Sequence, residues 1–98
     1  MNKFTINEIE ELSKKFDFSF IEDANNYHLE LLNYALELTD WMKDAKDIIS
    51  KIFENKKTNS ILINSIILYQ NSSEDVKYLV GVNLGAIISK LYDICELD

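Results

Sequence analysis

Residues 24–54 read ANNYHLELLNYALELTDWMKDAKDIISKIFE. Within them Ala24, His28, Leu31, Ala35, Leu38, Met42, Ala45, Ile49 and Ile52 follow one another at alternating steps of four and three. That spacing keeps side chains on one face of a helix. Tyr27, Tyr34, Trp41 and Ile48 run alongside at steps of seven, which widens the stripe to that of a core-facing helix. The phase survives Thr39-Asp40, a pair that would otherwise read as an N-cap. The pattern predicts one helix from about Asn26 to Glu54, with a hinge at Thr39 as the alternative. Such a helix spans roughly 40 Å and would overhang a small bundle. A sustained heptad stripe also suits a coiled coil. The rest of the chain is equally apolar and must pack on something, so the stripe is read as an intramolecular core.

Upstream, Thr5-Ile6-Asn7-Glu8 has capping-box spacing, with Phe4 and Ile9 placed to clamp the start of the helix. That helix is expected to end near Lys15. Phe16-Asp17-Phe18-Ser19-Phe20 alternates but has no evident partner strand, so it is read as a connector that drops rings into the core. Ser19-Phe20-Ile21-Glu22 offers a second capping box. Downstream, residues 55–60 are polar and read as a loop. Residues 61–69 are rich in β-branched and aromatic side chains, which favours strand. Leu62, Ile63, Ile66, Ile67 and Tyr69 also fit a helix, and helix is the reading adopted. Asn71-Ser72-Ser73-Glu74-Asp75 reads as a turn and cap. Val76, Val80, Leu84, Ile87, Leu91 and Ile94 then carry a last helix, in which Gly81, Gly85 and Ser89 form a small-residue strip read as close core packing. The expectation is an all-α fold: a single domain over residues 1–98, built as one bundle of four to five helices around a long central one.

Composition narrows the function. The 98 residues are 47% hydrophobic, with two glycines and no proline, a makeup that excludes disorder. Seventeen acidic residues against ten lysines leave a net charge of −7, so direct nucleic-acid binding, which needs a basic face, is not expected. The start, MNKFTINEIEEL, lacks a charged region followed by an apolar one, and the longest uninterrupted apolar runs are too short to span a bilayer. Neither a leader nor a membrane segment is expected, and a cytoplasmic location is the simplest reading. There is no arginine, and Phe, Tyr, Met, Ile, Asn and Lys supply 45 residues against six for Gly, Ala, Arg and Pro. The coding DNA is therefore read as AT-rich, as in a low-GC bacterium, a phage or a mobile element.

No catalytic set is legible. His28 is the single histidine and Cys95 the single cysteine. A zinc site needs three or four converging ligands, and nothing in the sequence brings His28 and Cys95 together as a nucleophilic pair. Both are read as core or boundary residues. No Glu-x-x-His, glycine-rich phosphate loop, Gly-x-Ser-x-Gly elbow or calcium loop occurs. An Asp-Ser-Leu carrier-protein motif is also missing. Neither an enzyme nor a bound cofactor or metal is expected.

Charge placement is what remains. Glu30, Glu37, Asp40, Asp44, Asp47 and Glu54 fall in one heptad-spaced band beside the apolar stripe, diluted by Lys43, Lys46 and Lys51. The band suits either a solvated helix face or an acidic docking surface for a basic partner, which would speed and select association. Asp17, Glu22 and Asp23, beside Phe16, Phe18 and Phe20, form a second acidic patch with aromatic anchors.

In size, acidity, helical pattern and AT-rich coding the chain resembles the small immunity proteins that neutralise nuclease toxins in contact-dependent growth inhibition and bacteriocin systems. The resemblance implies a cytoplasmic protein that binds a basic toxin domain and covers its active site or substrate groove. The expected contact residues are Glu30, Glu37, Asp40, Asp44 and Asp47, with Asp17, Glu22 and Asp23 as a second set. Two other readings stay open: an antitoxin or phage-encoded inhibitor whose carboxylates mimic phosphates, and a structural helical adaptor.

Overall fold

The computed structural model describes residues 2–72 and 74–97. It holds five α-helices: α1 (Ile6–Leu12), α2 (Ala24–Leu38), α3 (Ala45–Glu54), α4 (Asn59–Tyr69) and α5 (Lys77–Glu96). Single 3-10 turns, Ser13–Lys15 and Glu74–Val76, follow α1 and precede α5. No strand occurs among the described residues, so the chain folds as the expected all-α bundle.

The Thr5 capping box forms in full. The Glu8 amide donates to Thr5 Oγ1 at 3.3 Å and the Thr5 amide to Glu8 Oε1 at 2.9 Å, while Phe4 and Ile9 are both buried. The box expected at Ser19–Glu22 does not open a helix. α2 starts two residues later, behind Asp23, whose backbone is left-handed (φ 58°). Of the three rings in the connector, two point inward: Phe18 lies 4.6 Å from His28 and Phe16 6.2 Å from Phe53. Phe20 stays 80% exposed.

Residues 26–54 are not one helix. The chain breaks between Leu38 and Ala45, at the hinge given above as the alternative. A straight helix of that length would reach roughly 43 Å at 1.5 Å per residue, whereas the molecule's longest dimension is 36 Å. The break is stabilised locally. Thr39 is fully buried, and both its amide (3.0 Å) and its hydroxyl (2.7 Å) donate to the Ala35 carbonyl, so the buried hydroxyl is satisfied where the helix ends. The Met42 amide turns back to the Thr39 carbonyl at 2.9 Å, and Asp44 restarts the chain from a left-handed conformation (φ 59°).

Residues 61–69 are helical, within α4. Thr58 Oγ1 donates to the Ile52 carbonyl at 2.8 Å and Asn59 Nδ2 donates to the Phe53 carbonyl. These two side chains close the end of α3 and begin α4. Ser73, expected in the turn before the last helix, lies outside the described residues.

The long element of the bundle is α5, at 20 residues, not 26–54. It packs against α2, α3 and α4 through Val80, Leu84, Ile88 and Leu91, all buried. Gly81 and Gly85 do mark a close approach. A Cβ on Gly81 would sit 2.5 Å from the Leu38 carbonyl oxygen, and one on Gly85 2.5 Å from Trp41 Cζ2. By length and composition, Glu74–Glu96 is also long and apolar enough to cross a membrane, with 33% of its most apolar window buried. The most apolar stretch of the sequence, residues 79–95, lies within it and is interrupted by Asn83, Lys90 and Asp93.

Candidate partner-binding cleft

The C-terminal half of α2, the 39–44 connection and the first turn of α3 fold around a cleft of about 960 Å³. Glu30 and Glu37 reach it from α2, Asp40 and Asp44 from the connection, and Asp47 from α3. All five are exposed. The break at Thr39 is what makes the wall concave, because a continuous helix would have laid these carboxylates along a straight ridge. Tyr34, Leu36, Met42 and Ala45 supply apolar lining, and Asn2, Lys3, Asn33, Lys46 and Gln70 complete it.

Two lysines line this cleft: Lys3, whose charge acts on Glu37, and Lys46, which is committed to Glu8. Lys46 Nζ pairs with Glu8 at 2.8 Å, donates to the Lys3 carbonyl at 3.0 Å, and lies 5.4 Å from the centre of the Phe4 ring. Its side chain is only 17% exposed. Its hydrogen bond holds the Glu8 carboxyl below the usual carboxylate range. Glu37 pairs with Lys77 at 2.8 Å, and that hydrogen bond, with the charge of Lys77, lowers the Glu37 pKa. Among the described residues no ion pair engages Glu30, Asp40, Asp44 or Asp47. The cleft thus presents four uncommitted carboxylates around an apolar floor. That arrangement suits a lysine or arginine side chain, whose aliphatic stem lies on apolar surface while its head meets carboxylates.

The second acidic set does not converge on this cleft. Asp23 lines a separate, smaller depression of about 400 Å³ with Phe16 and Phe18. Asp17 accepts a hydrogen bond from the Ser19 amide at 2.9 Å, which keeps its carboxyl below the ordinary value. Glu22 is exposed and lines neither depression. Sequence reasoning placed Lys46 beside the acidic band but missed its pairing with Glu8, and it missed Asn2, Lys3, Asn33 and Gln70 as parts of the cleft. The Lys46–Glu8 pair joins residues 38 apart, a separation to which no local pattern is sensitive.

His28 and Cys95 stand where the sequence reading put them. His28 is 2% exposed and packed at tilted or edge-on angles among Phe18, Tyr27 and Phe53, at 4.6, 5.9 and 5.3 Å between ring centres. Its Nδ1 has no hydrogen-bond partner among the described residues, and burial pushes its pKa down. Cys95 is half-buried, with Sγ 3.3 Å from Thr58 Oγ1. No cluster of three or more His, Cys, Asp or Glu side chains that could hold a metal occurs among the described residues. Compared with known proteins, the chain matches no family model, no curated protein and no solved structure.

Proposed function

We propose that this protein is a binding protein rather than an enzyme: an immunity protein that neutralises a basic toxin domain, a nuclease, through the acidic cleft. The supporting observation is that five carboxylates from two helices and their connection, spread over residues 30–47, line one concave surface. Nucleases carry basic grooves because their substrates are polyanions. An acidic cleft with an apolar floor complements such a groove, steers the encounter and takes up its lysine and arginine heads. The chain's net charge of −7 acts in the same direction. A cytoplasmic site of action goes with this reading.

The test is a set of carboxylate variants. Asp40→Lys and Asp47→Lys reverse charge at exposed positions. At Asp44 the left-handed backbone makes Asn the suitable replacement, since Asn tolerates that conformation and Lys would add strain of about 1 kcal/mol. Immobilised wild-type protein is expected to retain a basic nuclease from a lysate of the native host, and the D40K/D44N/D47K variant to lose it with helicity intact. The wild type is expected to protect cells expressing that nuclease and the variant to fail. Protection that survives the triple change but is lost on reversing Asp17, Glu22 and Asp23 moves the interface to the second patch. Retention of no basic protein overturns the reading in favour of the adaptor.

A further inference from the structure

We infer that Lys77 is a built-in competitor of the partner: in the free protein its ammonium occupies Glu37, the fifth carboxylate of the cleft, and a lysine or arginine head of the partner has to displace it. The inference rests on the acidic cleft being the docking surface and adds how that surface is regulated. Tyr34 and Glu37 stand between two concavities. On one side they line the cleft of about 960 Å³, and on the other a depression of about 210 Å³ completed by Ser72, Glu74 and Lys77. The Tyr34 hydroxyl donates to the Tyr69 carbonyl at 2.8 Å, which fixes this shared wall. Lys77 is the first residue of α5, and its Nζ reaches over to donate to Glu37 Oε1 at 2.8 Å. Among the described residues, Glu37 is the only carboxylate lining the cleft that has an ion pair.

Two features make this contact a competitor rather than a fixture. The first is how loosely it is held, as the comparison with Lys46 shows. The Lys46 side chain is 17% exposed, and besides Glu8 it reaches the Lys3 carbonyl and the Phe4 ring. The Lys77 side chain is 40% exposed and that of Glu37 59%, and among the described residues the Lys77 ammonium makes this one hydrogen bond. An ion pair so open to water is weak, because it is screened and two long side chains must be held in one geometry. The second feature is where the lysine starts. Lys77 opens α5, and the N-terminus of a helix is the end at which the dipole disfavours a cation. Glu37, by its hydrogen bond and charge, and then Glu74, by its charge, offset this and raise the Lys77 pKa. A displaced Lys77 therefore keeps the charge of Glu74 beside it. Helix α5 stays docked through Val80, Leu84, Ile88 and Leu91, which are buried. The incoming head gains a carboxylate already placed in the cleft wall, and the protein loses only an exposed ion pair.

Calorimetry of the full chain with a hexa-arginine peptide as the probe tests this. Lys77→Gln is expected to tighten binding roughly two- to five-fold, the factor by which an exposed ion pair lowers the fraction of molecules with Glu37 open. Circular dichroism and urea stability are expected to match the wild type. In a Glu37→Gln background the same substitution is expected to change nothing, because no carboxylate is left to release. Lys90→Gln removes an equal charge from an exposed position of α5 that has no ion pair among the described residues, and so measures what net charge alone does. A gain from Lys77→Gln no larger than that from Lys90→Gln overturns the proposal, as does a gain that persists in the Glu37→Gln background. A Lys77→Gln chain that loses stability without gaining affinity also overturns it and makes the pair purely structural. In these cases the cleft stands as the docking surface provided that D40K/D44N/D47K abolishes peptide binding. Binding that this triple variant leaves intact, or no binding to any of the chains, overturns the cleft reading and the competitor with it.

Discussion

His28 shows how much one side chain can decide. Its ring is enclosed by Phe18, Tyr27 and Phe53, none of which carries a charge, so the neutral form is the one the fold accepts. Its folded pKa lies below the unfolded value of about 6.5. As pH falls through that value the unfolded chain takes up the proton first, and stability drops with it. Above the unfolded value the contribution is complete. His28→Leu is expected to flatten urea-measured stability as pH falls below about 6.5, where the wild type loses at most about 1.4 kcal/mol per pH unit from this group. An unchanged slope would assign the acid sensitivity elsewhere. Gly81 and Gly85 offer a second contrast. Both gain up to about 1 kcal/mol of helix propensity on changing to Ala, but the obstacles differ. Gly81 faces the rigid Leu38 backbone carbonyl and Gly85 the edge of a half-exposed indole, which can move outward at the expense of its 3.1 Å Nε1 hydrogen bond to the Leu38 carbonyl. Gly81→Ala is expected to cost about 1–3 kcal/mol net, and Gly85→Ala to lie near zero. Equal effects in denaturation would remove the distinction.

The break between α2 and α3 is the element whose reading mattered most. Helix α2 ends at Leu38 and α3 begins at Ala45, seven residues apart, and both of these residues are buried. A seven-residue offset preserves heptad phase whether or not the six residues between are helical. The apolar pattern was therefore blind to the break, and the polar pair Thr39-Asp40 was its one local signal. The structure adds the burial of Thr39 and its bond to Ala35. Thr39→Val keeps the shape and removes that bond while the Ala35 carbonyl keeps the Thr39 amide, with an expected loss of about 0.5–1.5 kcal/mol in urea denaturation. A neutral result would mean that the turn is held by packing alone. The same lesson applies to residues 61–69, where β-branched content argued for strand. With no second strand available, the backbone groups could be satisfied only within the segment, as a helix.

For the molecule as a whole the testable quantity is the salt dependence of association. If the acidic cleft steers a basic partner, the on-rate should fall steeply as the screening length shrinks from about 10 Å at 0.1 M to about 3 Å at 1 M salt, with the off-rate little changed. Stopped-flow association of the wild type and the D40K/D44N/D47K variant measures this, and a salt-independent wild-type rate would remove steering from the account.

Local spacing sufficed for much of this. The Thr5 capping box, the helical stripes of residues 24–38 and 45–54, the burial of His28 and the closeness required at Gly81 and Gly85 all follow from contacts within a few turns or from periodicity, which sequence carries directly. The five carboxylates of the cleft were also legible as one band, since heptad spacing keeps residues in phase. That the band curves into a concave wall was not legible. Its curvature comes from a chain reversal that fits a 36 Å molecule, and from Lys46 reaching Glu8 across 38 positions. Tertiary packing alone also decided that α5 is the long helix at the bundle's centre, and that its other face is left bare. A hydrophobic stripe states that a face will be covered. Only the positions of the other helices state which of two apolar faces they cover, because each contact has to be closed through a chain whose connections are a few residues long.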